Sequence, residues 1–168
     1  YLTIKEGKVP EGRIKKKNLE IREAFVQAGM ERDEADQIKN IYKGNIFLDQ
    51  TRGQVHLGEV LEMVFDMFEE VMRKGPLVRE PCTKVKVNLT DMTLHEDAIH
   101  RGPAQVYPAI REGIRGAMLT AGPILLEPMQ VMLIEGPVDY MGQLTKLVNS
   151  MRGQLLDVTQ EGTMVATG

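Results

Sequence analysis

The residues best placed to do chemistry lie in one short run, His95, Glu96, Asp97, Ala98, Ile99, His100 and Arg101, which Gly102 and Pro103 then break. Two imidazoles, two carboxylates and a guanidinium in seven residues allow three kinds of chemistry. A metal could take His95, Glu96 and His100 as ligands. The two histidines are five apart, about 140° on a helix, so they lack the four-residue separation of the helical zinc motif, and only a loop could bring both rings to one ion. A general acid-base pair could form between His95 and Asp97. The third reading is a solvated loop whose carboxylates cap the turn that follows.

The flanking elements decide what such a run can do. Val85, Val87 and Leu89 alternate with Lys84, Lys86 and Asn88, which predicts a strand over 85–89. Val106, Ile110, Ile114 and Met118 predict a helix over 104–121, ended by Gly122 and Pro123. Gly113 and Gly116 inside that helix point to close packing against a neighbour. The polar run therefore belongs on a strand-to-helix loop at the end of a sheet, the kind of place where function concentrates.

The clearest helix is predicted over 59–73, with Val60, Leu61, Val64, Phe65, Phe68, Val71 and Met72 as its apolar stripe and Glu62, Asp66, Glu69 and Glu70 facing water. Residues 46–50 read as a strand and Arg52-Gly53 as a turn. Upstream, 1–13 is turn-rich. Asn18 is an N-cap for a helix carrying Ile21, Phe25 and Ala28 and ending at Gly29. Asp33 is expected to cap a second helix running through Ile38 and Ile41. Lys15, Lys16 and Lys17 form a basic run that reads as a solvated helix lead-in or a local RNA contact. Downstream, a strand over 129–134, a helix capped by Asp139 and a strand over 154–158 make a β-α-β unit.

Composition narrows the class. The 168 residues carry a net charge of -3, 42% hydrophobic and 27% charged residues, and no apolar run of membrane-spanning length. An acidic chain lacks the global signature of a nucleic-acid binder, so any RNA contact must be local. The one cysteine, Cys82, excludes an internal disulfide, reads as structural, and with the lack of a signal peptide fits a cytoplasmic setting. Of the eleven methionines, Met63, Met67 and Met72 fall on or beside a helix core face and read as core filling. His56, beside Gly58, reads as structural. There is no phosphate loop, nucleophile elbow or paired-cysteine motif, and Glu96 and Glu112 read most simply as surface.

The run Leu94, His95, Asp97, Ala98, Ile99, His100, Arg101, Gly102 and Gln105 resembles the diphthamide loop of archaeal and eukaryotic translation elongation factor 2, close to L-H-x-D-A-I-H-R-G-x-x-Q. Pro103 and Ala104, in place of two further glycines, look archaeal. Residues 45–53, 74–82, 126–128 and 152–154 resemble further segments of the same family.

The resemblance implies an α+β fold: domain IV of ribosomal-protein-S5-domain-2-like type over 1–123, its first strand and SPNKHN-type loop lacking, then a truncated ferredoxin-like β-α-β unit over 124–168, part of domain V. It implies a translocase whose domain IV tip enters the decoding site of the small ribosomal subunit and contacts the tRNA-mRNA duplex. His100 would be the diphthamide site and, with Arg101 and Gly102, the RNA contact. Arg101 would pair with phosphate and Gly102 would permit a tight turn, while His95, Asp97 and Gln105 support the loop. The diphthamide-synthesis enzymes and diphtheria toxin would be partners. GTP and magnesium belong to the full-length factor, and this chain is expected to hold no cofactor, to contact no membrane and to be no enzyme by itself. The alternative is a free-standing metal-dependent hydrolase using His95, Glu96 and His100.

Overall fold

The computed structural model describes residues 1–51, 57–161 and 164–167, in two compact units, Tyr1–Leu125 and Leu126–Gly168. The expected turn at Arg52-Gly53 and the structural role given to His56 lie outside the described residues.

The first unit runs α1 (Leu2–Lys5), β1 (Gly12–Arg13), α2 (Leu19–Gln27), α3 (Arg32–Ala35), β2 (Ile38–Tyr42), β3 (Asn45–Asp49), α4 (Leu57–Arg73), β4 (Lys86–Leu89) and α5 (Pro103–Thr120). Its sheet has the order β1-β2-β3-β4. β1, β2 and β3 pair antiparallel, whereas β4 lies parallel to β3 because α4 crosses over between them. The helix expected through Ile38 and Ile41 is not formed. α3 stops at Ala35, its N-cap is Glu31 without a side-chain hydrogen bond, and Asp33 sits inside it. Ile38, Ile41 and Tyr42 are β-branched or aromatic, and Lys43 and Gly44 both take positive φ, 47° and 76°, which closes a tight hairpin into β3. The turn-rich reading of 1–13 likewise missed α1 and β1.

Asn18 does cap α2, its side-chain oxygen accepting from the amides of Glu20 and Ile21, and the chain leaves the helix through Gly29 at φ 94°. Ile21 and Phe25 are buried, whereas Ala28 is exposed.

β3 alternates between two cores, as a strand must. Phe47 points to the α4/α5 side with Val60, Val64, Phe68, Val106, Ile110, Ile114 and Met118. Ile46 and Leu48 point to the other side with Ile4, Ile21, Phe25, Ile38 and Ile41. Phe47 meets Phe65 edge-on at 5.7 Å and Phe68 at 5.5 Å between ring centroids. Met67 and Met72 are buried, and Met63 packs against the same cluster.

The carboxylates expected to face water on α4 are exposed or part-exposed and are ion-paired as well. Arg13 reaches Glu62 at 2.7 Å, Asp66 at 2.7 Å and Glu69 at 2.9 Å, tying β1 to α4, and Arg111 of α5 holds Glu70 at 3.0 Å. The expected close packing at Gly113 and Gly116 is also absent, since a methyl group at either would meet no atom within 4 Å.

The second unit holds β5 (Ile134–Pro137), α6 (Met141–Ser150), β6 (Val158–Glu161) and β7 (Met164–Thr167). The sheet order is β5-β7-β6, with β7 antiparallel to both neighbours. The first predicted strand starts too early: β7 offers its ladder to Ile134–Pro137, and Met129, Val131 and Leu133 stand exposed before it. The second is shifted to Val158–Glu161, and α6 is capped by Tyr140 without a side-chain hydrogen bond, not by Asp139.

Candidate functional site

β4 delivers the chain to the polar run. The carbonyl of Leu89, its last residue, accepts from the Gln50 amide at 2.8 Å, and the loop then passes through Met92 and Leu94, both packed on the α4/α5 core. Asp97 turns the chain. Its side chain accepts from the Ile99 amide at 3.1 Å and caps a single 3-10 turn, Ala98–His100, closed by His100 and Arg101 amides donating to the carbonyls of Asp97 and Ala98. The Asp97 amide in turn donates to Nδ1 of His95 at 3.0 Å. An Nδ1 that accepts leaves the proton of the neutral ring on Nε2.

His95, Glu96, Asp97, Ala98, Ile99 and His100 are all exposed. The rings of His95 and His100 stand 4.5 Å apart at 67°. The loop thus presents two imidazoles side by side, with an exposed Ile99 next to them.

Arg101 does something else. Expected to reach outward to phosphate, it is turned inward, with its side chain 8% exposed. Nη1 donates to the carbonyls of His95 at 2.8 Å and Glu96 at 2.6 Å, while Nε and Nη2 grip the Glu59 carboxylate of α4 at 3.1 and 3.0 Å. Gly102 also departs from its expected role. Its φ of -79° and ψ of 168° suit any residue, being the extended backbone that precedes a proline, and Pro103 opens α5 at its first turn. Gln105, exposed on that first turn, approaches Gly102 with Oε1, 3.4 Å from where a methyl group would stand.

Beside the loop runs a groove of about 440 Å³, lined by Phe47, Leu89, Leu94, Ile110 and Gly113 and reached by His95, His100 and Arg101. The sequence carries a signal for it: Ala109, Gly113 and Ala117 recur every fourth residue, so α5 offers it a shallow face.

Among the described residues no group of three or more His, Cys, Asp or Glu side chains could hold a metal ion. Titration is perturbed on the α4 surface instead. The Arg13 guanidinium, helped by the Tyr107 hydroxyl, holds the Asp66 carboxyl below its ordinary value, and the bond to Asp66 pushes the Tyr107 phenol up. Burial raises the Cys82 thiol, which donates to the Val71 carbonyl. No helix among the described residues is long and apolar enough to cross a membrane.

The class of domain follows from comparison with known sequences: the sequence model of Elongation factor G, domain IV, matches residues 7–122. The chain belongs to that family. At the level of individual proteins it is similar to Elongation factor 2 of Nanoarchaeum equitans, 52% identical over 93% of this chain and 21% of that protein. Elongation factor 2 of Methanocaldococcus jannaschii is 50% identical over 95% of this chain and 22% of its own length. That of Pyrococcus furiosus is 46% identical over 98% and 22%. The chain therefore spans about a fifth of the length of these relatives.

Proposed function

We propose that this chain is the ribosome-facing arm of an archaeal-type elongation factor 2, with His100 as the side chain that receives diphthamide and meets the tRNA-mRNA duplex in the small-subunit decoding site. The observation that carries the reading is His100 itself, exposed on a capped 3-10 turn within a run that meets nine of the twelve positions of the family's loop. The similarity to three archaeal proteins named Elongation factor 2 supports it. A modified imidazole would add reach and positive charge where the chain, at net -3, has little to attract RNA. His100, Arg101 and Gly102 remain the tip, but Arg101 acts in this reading as a brace, with His95, Asp97 and Gln105 supporting the loop.

Residues 1–123 then correspond to domain IV, of ribosomal-protein-S5-domain-2-like type, and 124–168 to the first part of domain V. The order β5-β7-β6 around one helix is that of a split β-α-β unit, as a ferredoxin-like half would have. GTP hydrolysis with magnesium belongs to other parts of the full-length factor, the setting is cytoplasmic, and the arm itself does no catalysis. The metal-hydrolase alternative finds little support, because among the described residues no group of three or more His, Cys, Asp or Glu side chains is gathered to hold an ion.

The test is modification. The archaeal diphthamide enzymes, followed by diphtheria toxin, should place ADP-ribose on His100, and His100→Asn should abolish labelling. A mass increment mapped to His95, or none at all with active enzymes, overturns the assignment.

A further inference from the structure

We infer that Arg101 is a positioning residue that fixes where His100 points, by locking the loop to the first turn of α4. Three features carry this. The guanidinium directly follows six exposed residues, 95–100, yet only 8% of its side chain is accessible. One edge of its fork, Nε and Nη2, closes on one Glu59 carboxylate at 3.1 and 3.0 Å. The remaining nitrogen, Nη1, bridges two successive carbonyls, those of His95 and Glu96, at 2.8 and 2.6 Å.

A planar guanidinium can hold a carboxylate and two carbonyls at once in fixed directions, and its charge shortens and strengthens every bond it donates. The two carbonyls immediately precede Asp97, whose carboxylate caps the turn that carries His100 and whose amide is held by His95. The chain of contacts is therefore continuous: Glu59, Arg101, the 95 and 96 carbonyls, Asp97, and then the His100 turn. Released from Arg101, those carbonyls are free to turn to water, leaving the packing of Leu94 on the α4/α5 core as the neighbouring anchor. Residues within the same run thus divide their work, with His100 outward and Arg101 inward.

The inference rests on His100 being the functional side chain, but its test reads loop geometry and not modification, so the two can fail separately. Isotope-labelled protein should show a nuclear Overhauser contact between the His95 and His100 rings. Arg101→Met should lose it, and amide exchange at Ile99, His100 and Arg101 should quicken about tenfold or more, as expected for removal of charge-assisted bonds. Glu59→Gln, which keeps an acceptor oxygen, should behave like wild type, and Glu59→Ala like Arg101→Met. The amides of α4 between Val64 and Val71 serve as the folding control and should be unchanged in every variant. If Arg101→Met fails to fold, Glu59→Ala decides. A ring contact and loop protection that persist in either of these two variants, with α4 intact, overturn the proposal.

Discussion

The Asp97 amide donates to Nδ1 of His95 at 3.0 Å, so the first histidine of the run orients the backbone that carries the second. His95 and His100 are both exposed. Loop order and domain stability should therefore separate. His100→Ala should change unfolding free energy by less than about 0.5 kcal/mol, the usual range for exposed side chains away from special backbone features, and His95→Ala by no more than the about 0.5–1.5 kcal/mol of its one hydrogen bond. Only His95→Ala should speed exchange of the Asp97 amide. Urea unfolding paired with residue-resolved exchange checks both halves, and a large stability loss from His100→Ala would place that ring in the core.

The Arg13, Asp66 and Tyr107 cluster predicts two pH effects of opposite sense. Asp66 has its carboxyl lowered below the ordinary 3.8, first by the hydrogen bond from Arg13 and then by that from Tyr107. Its contribution is present above pH 3.8 and lost as pH falls through the lowered folded value. Tyr107 is raised above 10.0, chiefly by its hydrogen bond to Asp66. Its contribution is present below pH 10.0 and lost as pH rises through the raised value. Tyr107→Phe should remove a late component from the tyrosinate absorbance titration and abolish that alkaline loss. Asp66→Asn should flatten the acid side. Both groups are partly exposed, so the slopes should be shallow and weaken with salt.

Gly75 is a packing test. The chain after α4 folds back so that the Gly75 amide donates to the Glu80 carbonyl and the Cys82 amide to the Met72 carbonyl. A methyl group on Gly75 would stand 2.7 Å from the Cys82 sulfur and 2.9 Å from the Glu80 carbonyl oxygen. Gly75→Ala should cost about 1–3 kcal/mol, as overpacking does. It should also push the sulfur outward, so that Cys82, held protonated by burial in the wild type, reacts faster with a thiol reagent. Unchanged stability and reactivity together would mean that this turn opens easily.

The long helices were legible because burial there follows a single period. Val60, Val64, Phe68 and Val71, and then Val106, Ile110, Ile114 and Met118, mark core faces that tertiary structure had no reason to override. Asn18 was legible because a cap is a local hydrogen bond. Ile38–Tyr42 was not: spaced isoleucines fit helix and strand alike, and the hairpin partner 45–49 decides between them. Arg101 was unreadable for a related reason. Its inward turn depends on Glu59, 42 residues away, and nothing within the polar run distinguishes a guanidinium facing phosphate from one facing carbonyls. The charges of Glu62, Asp66 and Glu69 looked solvated because Arg13 reaches them from another element.

The second unit offers the last test. Among residues 126–159 none is buried, and Met129, Val131, Leu133, Leu147 and Leu156 are each more than half exposed. Residues 126–159 therefore remove little apolar surface from water, whereas α4 alone contributes eight buried residues. The free energy that protects amides from exchange comes mainly from such burial, so protection should be uneven along the chain. In dilute protein, the amides of Ile134–Pro137 and Met141–Ser150 should exchange at least about a hundredfold faster than those of α4 between Val64 and Val71, a gap of only about 2.7 kcal/mol in opening free energy. Raising the protein concentration should slow exchange in 126–159 if the exposed apolar residues find a second copy, and sedimentation would then show association. Equal protection of both units at low concentration, without association, would mean that β5, α6, β6 and β7 form a self-sufficient fold despite the exposure of residues 126–159.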